Sequence, residues 1–146
     1  MRVYLVQHAE AKSEEEDPER RITERGREET EKVAEFLKKA GVKVEAIYHS
    51  TKTRARETAE IFAKALGVEA EERDNLEPLA EAKIWAERIR RESRDVMIVG
   101  HLPHLSKLLA ELVGGEVVKF RYSAVVCLER EDDSFKIVWL VTPDII

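Results

Sequence analysis

Three of the four histidines in this sequence follow short apolar runs, at positions where strands of a sheet would end. His8 closes "RVYLVQH", His49 closes "VEAIYH", and His101 follows "DVMIVG". The carboxyl ends of parallel strands meet along one edge of a sheet, so we expect these imidazoles near one another. An imidazole titrates near neutral pH and serves as a nucleophile, a general acid or base, or a metal ligand. The histidines therefore mark this edge as the candidate reactive site.

Positive charge follows two of these strand ends. Arg54 and Arg56 come just after Ser50, in the turn that opens a helix, and "GHLP" places His101 directly before another helix. A helix N-terminus presents unpaired backbone N–H groups and a partial positive charge, which suits a phosphate group. Histidines, an arginine and a helix end together predict a phosphoryl-binding site with an imidazole as nucleophile or acid/base, without a metal.

Each of these residues also has a simpler interpretation. A histidine at a strand end is commonly a hydrogen-bonded structural residue, and arginines on a charged helix are commonly surface residues. His101 and His104, three residues apart, could instead be a pair of metal ligands. The sequence contains no zinc-hydrolase helix motif, and Cys127 is its single cysteine, so phosphoryl transfer is favoured over metal binding.

Hydrophobic periodicity predicts strands that alternate with helices. The first three strands are "RVYLVQH", Val44 to Ser50 and Asp95 to His101. Two further runs, "SAVVCLERE" and "SFKIVWLVT", flank a polar turn and predict a hairpin. This alternation implies an α/β fold with a mainly parallel sheet covered on both faces, and an antiparallel addition at the end.

Four helices are predicted from apolar stripes and end signals. Thr23 caps the first helix, which Gly41 ends, and the second covers Thr53 to Leu66. The third covers Ala82 to Glu92, and the fourth has Pro103 in its first turn and ends at two glycines. The residues expected to face the core from the first two helices are Val33, Ala34, Phe36, Leu37, Ala55, Ala59, Ile61, Phe62 and Ala65.

The composition describes one soluble domain with a heavily charged surface. A chain of 146 residues has room for a single domain over 1–146, and its net charge of -5 argues against a nucleic-acid partner. No long apolar run predicts a membrane span, and a lone Cys127 without a signal segment makes the cytoplasm the expected location. The acidic stretch Glu14 to Asp17 is expected in a solvated loop.

Four blocks of the sequence, taken in order, resemble the signature of a known family. They are "LVQHAEA" from Leu5, "ITERG" from Ile22, "HSTKTRARETAEIF" from His49, and "VGHLP" from Val99. They are similar to the blocks of the histidine phosphatase superfamily (phosphoglycerate mutase-like), in its short SixA-type phosphohistidine phosphatase branch. The resemblance runs to the closing hairpin and implies a three-layer α/β/α sandwich, in agreement with the alternation of strands and helices.

The resemblance also implies a role for each matching residue. His8 corresponds to the nucleophile that attacks phosphorus and carries a transient phosphohistidine. Arg54 would bind the phosphoryl oxygens through its planar fork of donors, and His101 would donate to the equatorial oxygens in the transition state. Gln7 and Ser50 are expected to line the substrate site beside them. Catalysis would then consist of positioning and charge stabilisation, and would need no cofactor.

The opening block departs from the family pattern, which usually has Arg-His-Gly where this chain has Gln7, His8 and Ala9. A glutamine keeps a hydrogen-bond donor without the charge. Losing a charge-assisted contact would cost about 1.5–3 kcal/mol, or roughly one to two decades in rate. The alanine is tolerable if the backbone there does not need a positive φ. The basic residues that could supply the missing charge are Lys12, Arg21 and Lys52.

The second departure from the family pattern is the lack of a clear proton donor for the leaving group. Glu77 and Glu81 in "LEPLAEAKIW" are candidates, and each could equally be a surface glutamate. A phosphoramidate leaving group is expelled more easily than an alkoxide, because an imidazole nitrogen is a far weaker base. The lack of a clear acid therefore favours phosphohistidine on a protein, such as a phosphotransfer domain of a signalling relay, as the substrate. Phosphate or sulfate ions are expected to bind in the same site.

Two other functions stay open at this point. One is a phosphatase of small phosphate monoesters, and the other is a weakly active or inactive member that binds phosphoryl groups, because Gln7 replaces the usual arginine. The short chain has little room for the cap insertions that enclose small substrates in larger relatives. An open site would admit a protein side chain, which favours the phosphohistidine phosphatase.

Overall fold

Strands and helices alternate through most of the chain, and a hairpin closes it; the computed structural model describes all residues, 1–146. The strands are β1 (Arg2–Gln7), β2 (Ala46–His49), β3 (Ala70–Glu72), β4 (Val96–Gly100), β5 (Val125–Glu131) and β6 (Ser134–Val141). The α-helices are α1 (Glu24–Lys39), α2 (Thr53–Leu66), α3 (Ala82–Arg91) and α4 (His104–Val113). A short 3-10 helix, Pro143–Ile145, follows β6.

The six strands form one sheet in the order β3-β2-β4-β1-β5-β6. The first four of these are parallel to one another, and β5 and β6 are added antiparallel to their neighbours. Strands β1 and β4 lie side by side in the centre, in a register that pairs Gln7 with Gly100. The residues that follow these two strands, His8 and His101, therefore leave the sheet together.

Alternating residues of the central strands pack against two different helical layers. On β1, Val3 and Leu5 belong to the core under α3 and α4, whereas Tyr4 and Val6 belong to the core under α1 and α2. Burying side chains of this kind contributes about 1.5–3 kcal/mol each. The protein is therefore an α/β/α sandwich with a mainly parallel sheet and an antiparallel C-terminal hairpin, as the sequence predicts.

The helix ends follow their sequence signals closely. The hydroxyl of Thr23 accepts a hydrogen bond from the N–H of Gly26 at 2.9 Å and so caps α1, and Gly41 follows that helix with φ of 80°. Helix α2 has the predicted bounds, and α3 ends one residue earlier than predicted. Pro103 lies just before α4 instead of in its first turn. No helix combines the length and the apolar character needed to cross a bilayer.

Two local expectations need correction, and one short strand has no counterpart in the sequence prediction. Phe36 is 44% exposed, because it lies on the flank of α1 beside the cleft formed with Trp139. Strand β3 was not predicted, since it has three residues and two of them are exposed glutamates, so it carries no apolar alternation. The acidic stretch is only partly solvated: Asp17 is buried and accepts hydrogen bonds from the backbone N–H groups of Glu19 and Arg21.

Candidate active site

The imidazoles of His8 and His101 meet at the carboxyl edge of the sheet. Their ring centroids are 5.0 Å apart and the ring planes are inclined at 51°. The backbone N–H of His8 donates to the carbonyl of Gly100 at 3.0 Å, which ties the end of β1 to the end of β4. Both imidazoles are buried. The predicted convergence is therefore present for His8 and His101. His49 does not join them: it is buried at the end of β2, and its Nδ1 lies 2.7 Å from the carbonyl oxygen of Ser50.

A backbone contact defines the proton arrangement of His8. Its Nδ1 lies 2.7 Å from the carbonyl oxygen of Ala9, and because a carbonyl oxygen only accepts, Nδ1 carries the proton. The lone pair is therefore on Nε2. Burial, helped by the charges of Arg54 and Arg20 and opposed by the bond to Ala9, lowers the pKa of His8 to about 4. At neutral pH, His8 is an uncharged imidazole with a free nucleophilic nitrogen.

Ser50 holds the second histidine. Its hydroxyl lies 2.6 Å from Nε2 of His101 and also accepts a hydrogen bond from the N–H of Lys52 at 3.2 Å. Burial, together with the neighbouring His8 and Arg54, lowers the pKa of His101 to about 3. The turn after β2 thus orients the imidazole that follows β4.

The first turn of α4 contributes less to an anion site than expected. The N–H of His104, the first residue of this helix, donates to the carbonyl of Pro78 at 3.2 Å and is not free for a phosphate. The His104 side chain is fully buried, and neither of its ring nitrogens has a hydrogen-bond partner. The structure brings no three His, Cys, Asp or Glu side chains together in a group that could hold a metal ion.

The guanidinium groups of Arg54 and Arg20, both near this edge, have no carboxylate partner. Arg54, in the first turn of α2, is half-buried, its Nε has no hydrogen-bond partner, and burial followed by the charge of Arg20 lowers its pKa. Neither arginine takes part in any of the ion pairs of the molecule. Arg56, by contrast, points to the surface and pairs with Glu60 at 3.1 Å. Unpaired, partly buried cations are suited to an anionic ligand.

Arg20 lies at this site although no motif in the sequence points to it. Its backbone has φ of 51°, its N–H donates to the carbonyl of Asp17 at 2.8 Å, and its Nε donates to the carbonyl of Lys12 at 2.9 Å. These contacts hold the guanidinium where its charge lowers the pKa of both His8 and Arg54. The double arginine in "PERRIT" is the only signal for it in the sequence.

The three residues that the sequence offers as a source of the missing charge, Lys12, Arg21 and Lys52, have different surroundings. Arg21 is an exposed partner of Asp17 and Glu19, and Lys12 contributes its carbonyl to the loop. Lys52 is exposed beside Ser50, and its charge contributes to lowering the pKa of His101. Among the three, only Lys52 therefore acts electrostatically on one of the two site histidines.

The loop after β1 is fastened from three directions. Gln7 is buried, its Oε1 has no partner, and its carbonyl accepts from the N–H of Ser123 at 3.0 Å. The N–H of Ala9 donates to the hydroxyl of Thr58 at 2.9 Å, and Ala9 has no positive φ, so alanine fits there. A Cβ at Gly26 would lie 2.5 Å from the carbonyl oxygen of Glu10, which explains the glycine of "ITERG".

The two candidate acids are in different surroundings. The carboxylate of Glu77 accepts a hydrogen bond from the hydroxyl of Thr51 at 3.2 Å, next to Ser50. Glu81 is exposed and caps α3 by accepting from the N–H of Lys83 at 3.3 Å. The structure therefore brings Glu77, and not Glu81, to the turn that carries Ser50.

Comparison with known proteins identifies the family. The model of the histidine phosphatase superfamily (branch 1) matches residues 3–80, more than half of the chain. The chain belongs to the histidine phosphatase superfamily. An uncharacterized protein of Picosynechococcus sp. is 32% identical to this histidine phosphatase over 124 residues, which cover 80% of this chain and 75% of that protein.

Solved structures place this histidine phosphatase in the SixA-type group. The protein histidine phosphatase SixA complexed with tungstate is similar with a TM-score of 0.90 and 25% identity, covering 99% of this chain and 98% of that one. The SixA protein of Agrobacterium tumefaciens is similar with a TM-score of 0.83 and 25% identity over 97% of each chain. A phosphoserine phosphatase of Entamoeba histolytica shares the fold alone, with a TM-score of 0.76 and 12% identity over 95% of each chain.

Proposed function

We propose that this protein is a phosphohistidine phosphatase that acts on a protein substrate through a covalent intermediate on His8. The observation that carries the proposal is the bond from Nδ1 of His8 to Ala9, which leaves Nε2 free beside His101 and two unpaired guanidiniums. Nε2 attacks phosphorus in line, the new N–P bond forms as the substrate P–N bond breaks, and the departing imidazole nitrogen takes up a proton from solvent water. Water then attacks phospho-His8, which releases inorganic phosphate and restores the neutral imidazole.

The phosphoryl oxygens would be held by Arg54 and Arg20, with the amide of Gln7 as an uncharged donor. Arg20 then supplies the second charge that the family usually places at the position of Gln7. This assignment supports an active enzyme over an inactive binder. SixA binds tungstate, an analogue of phosphate, so phosphate or sulfate is the expected simple ligand of this site.

His101 would stabilise the charge on the equatorial oxygens, with Ser50 as its positioning residue. An imidazole kept neutral by burial donates one hydrogen bond without placing a second full charge beside Arg54. Ser50 fixes the ring so that little reorganisation is needed when charge develops on the phosphoryl group. The reaction proposed here uses no metal and no cofactor.

A protein substrate is supported by the surface around the site. Leu79 is 89% exposed and Leu102 is 38% exposed. Both adjoin the site, since Pro78 accepts from the N–H of His104 and Glu77 accepts from Thr51. Exposed leucines beside a reactive site would give a protein partner apolar area to contact. The proposed partner is a phosphotransfer-type signalling protein.

One observation favours a second candidate function. Glu77 lies at the turn that carries Ser50, where it could protonate an alkoxide leaving group. That arrangement would suit a phosphatase of small phosphate monoesters. Turnover of a panel of sugar phosphates, compared with a phosphohistidine protein, separates the two candidates, and Glu77→Gln should slow only the monoesters.

The decisive experiment traps the phosphoenzyme. The protein is mixed with a phosphohistidine protein labelled on phosphorus, quenched in alkali, which preserves P–N bonds, and mapped. Label on His8, absent from His8→Ala and unaffected by a chelator, is the expected result; label elsewhere contradicts the proposal. Leu79→Asp should raise KM for the protein substrate alone, whereas Ile145→Asp, at a 72% exposed position beside Trp139 and away from the site, is the matched control.

A further inference from the structure

Tyr122 is a large exposed aromatic residue beside the nucleophile, and neither the family blocks nor the proposed mechanism uses it. Its ring centroid lies 5.6 Å from that of His8, with the planes inclined at 45°. His8 is buried, whereas Tyr122 is 43% exposed. The tyrosine ring therefore extends from the floor of the site to its mouth.

The position of Tyr122 is built by the turn between α4 and β5. Ser123 has φ of 64°, its N–H donates to the carbonyl of Gln7 at 3.0 Å, and its hydroxyl lies 2.7 Å from that of Thr30. The N–H of Ala124 closes the turn on the carbonyl of Arg121 at 3.1 Å. These contacts of its neighbours fix the backbone at Tyr122, so the turn needs little further ordering when a ligand binds.

Tyr122 is also near enough to Arg54 to act on it electrostatically. Its oxygen interacts electrostatically with Arg54 and opposes the lowering of the pKa of that guanidinium. The ring thus lies between the nucleophile and solvent. In an in-line displacement the leaving group departs on the side of phosphorus away from Nε2 of His8, which is the open side of the site.

We propose that Tyr122 is a specificity-determining residue whose ring packs against the departing ring of the substrate and favours phosphoryl donors with an aromatic leaving group. This inference rests on the proposed function, in which the leaving group is the imidazole of a phosphohistidine. Aromatic rings attract one another at centroid separations of 4.5–7 Å. Packing of this kind acts on the transfer of phosphorus to His8 and not on the later attack by water, because the leaving ring has then gone.

The test compares two donors that both break a P–N bond. N-phosphoimidazole releases imidazole and phosphoramidate releases ammonia, so the ratio of their kcat/KM values isolates the contribution of the leaving ring. Tyr122→Leu should lower this ratio about three- to tenfold. Tyr122→Phe should keep it, and hydrolysis of the trapped phosphoenzyme should have the same rate in both variants. Phe36→Leu, at an aromatic position 44% exposed on the flank of α1, is the matched control.

The inference is overturned if Tyr122→Leu leaves the ratio unchanged, or if Tyr122→Phe lowers it as much as Tyr122→Leu does, since the hydroxyl would then be the active group. If the proposed function itself is wrong, the result is different, because neither P–N donor will then label His8 in the unmodified protein. In that event the ratio of phenyl phosphate to glycerol phosphate turnover tests Tyr122 with the same variants. An unchanged ratio there also overturns the inference.

Discussion

Nδ1 of His8 donates to the carbonyl oxygen of Ala9, the next residue in the chain, at 2.7 Å. This bond leaves Nε2 as the only ring nitrogen with an available lone pair. The trapped phosphoenzyme should therefore carry phosphorus on Nε2, which phosphorus-nitrogen coupling in the NMR spectrum of an isotopically labelled sample identifies. Phosphorus on Nδ1 would contradict this assignment of the ring protons. The His8→Ala variant should carry no phosphorus.

The acid limit of activity should lie well below the pH at which an ordinary histidine titrates. His8 must be uncharged to attack, and burial lowers its pKa to about 4. Activity limited by this group is present above that pKa and is lost as the pH falls through about 4. We expect kcat/KM, corrected for hydrolysis without enzyme, to be level from pH 7 to about pH 5. A decline centred near pH 6.5 would show that His8 is not protected from protonation.

Arg20→Gln should lower kcat/KM by roughly one to two decades, because a charge-assisted contact to phosphate is worth about 1.5–3 kcal/mol. The neighbouring substitution Arg21→Gln is the natural control, since Arg21 is an exposed partner of Asp17 and Glu19. Steady-state kinetics on both variants, with thermal unfolding to verify the fold, makes the comparison. Equal effects of the two substitutions would refute the role given to Arg20.

Gly26→Ala should lower both stability and activity. Its Cβ would lie 2.5 Å from the carbonyl oxygen of Glu10, so the loop that carries His8 must shift. Overpacking of this kind costs about 1–3 kcal/mol. Gly115→Ala meets only a methyl group of Val117, at 3.3 Å, and should be well tolerated. Urea denaturation and kinetics on the pair check this; an unimpaired Gly26→Ala would mean that the approach of α1 to this loop is not required.

The free energy of unfolding should fall as the pH decreases below 6.5. Burial lowers the pKa values of His8, His101 and His104 in the folded protein, whereas unfolded histidines titrate near 6.5. In this range the unfolded chain binds more protons, so each histidine contributes a slope of up to about 1.4 kcal/mol per pH unit.

The His104→Leu variant tests the contribution of one of these histidines to the pH dependence. It removes one of the three titrating groups and two buried nitrogens that have no partner, so it should stabilise the protein by about 1 kcal/mol at pH 7. It should also flatten the dependence of the unfolding free energy on pH below 6.5. Urea denaturation at pH 5, 6 and 7 measures both effects. A variant with an unchanged slope would show that His104 does not titrate with unfolding.

The order of elements and the meeting of His8 with His101 could be predicted because both follow from periodicity and from the rule that parallel strands end at one edge. Strand β3 could not, since its hydrogen bonds to β2 hold three residues that have no strand pattern of their own. Phe36 keeps the period of the buried stripe of α1, and only the tertiary arrangement decides that it lies at the margin of that stripe.

Arg20 and Tyr122 were missed for a shared reason. Each owes its position to a residue with positive φ, Arg20 itself and Ser123 after Tyr122. Neither is a glycine or an asparagine, so the left-handed conformation has no signature in the sequence. The loops that form the wall of the site are therefore the part that a pattern of apolar residues does not encode.

The pairing of Gln7 with Gly100 in the middle of the sheet has a consequence for how the protein unfolds on heating. The two site imidazoles are attached to the innermost strands, so no partial opening of the edges separates them. The amide hydrogen of His8, bonded to Gly100, should exchange with solvent only when the whole domain opens. The active site and the domain of 146 residues then unfold together as one cooperative unit.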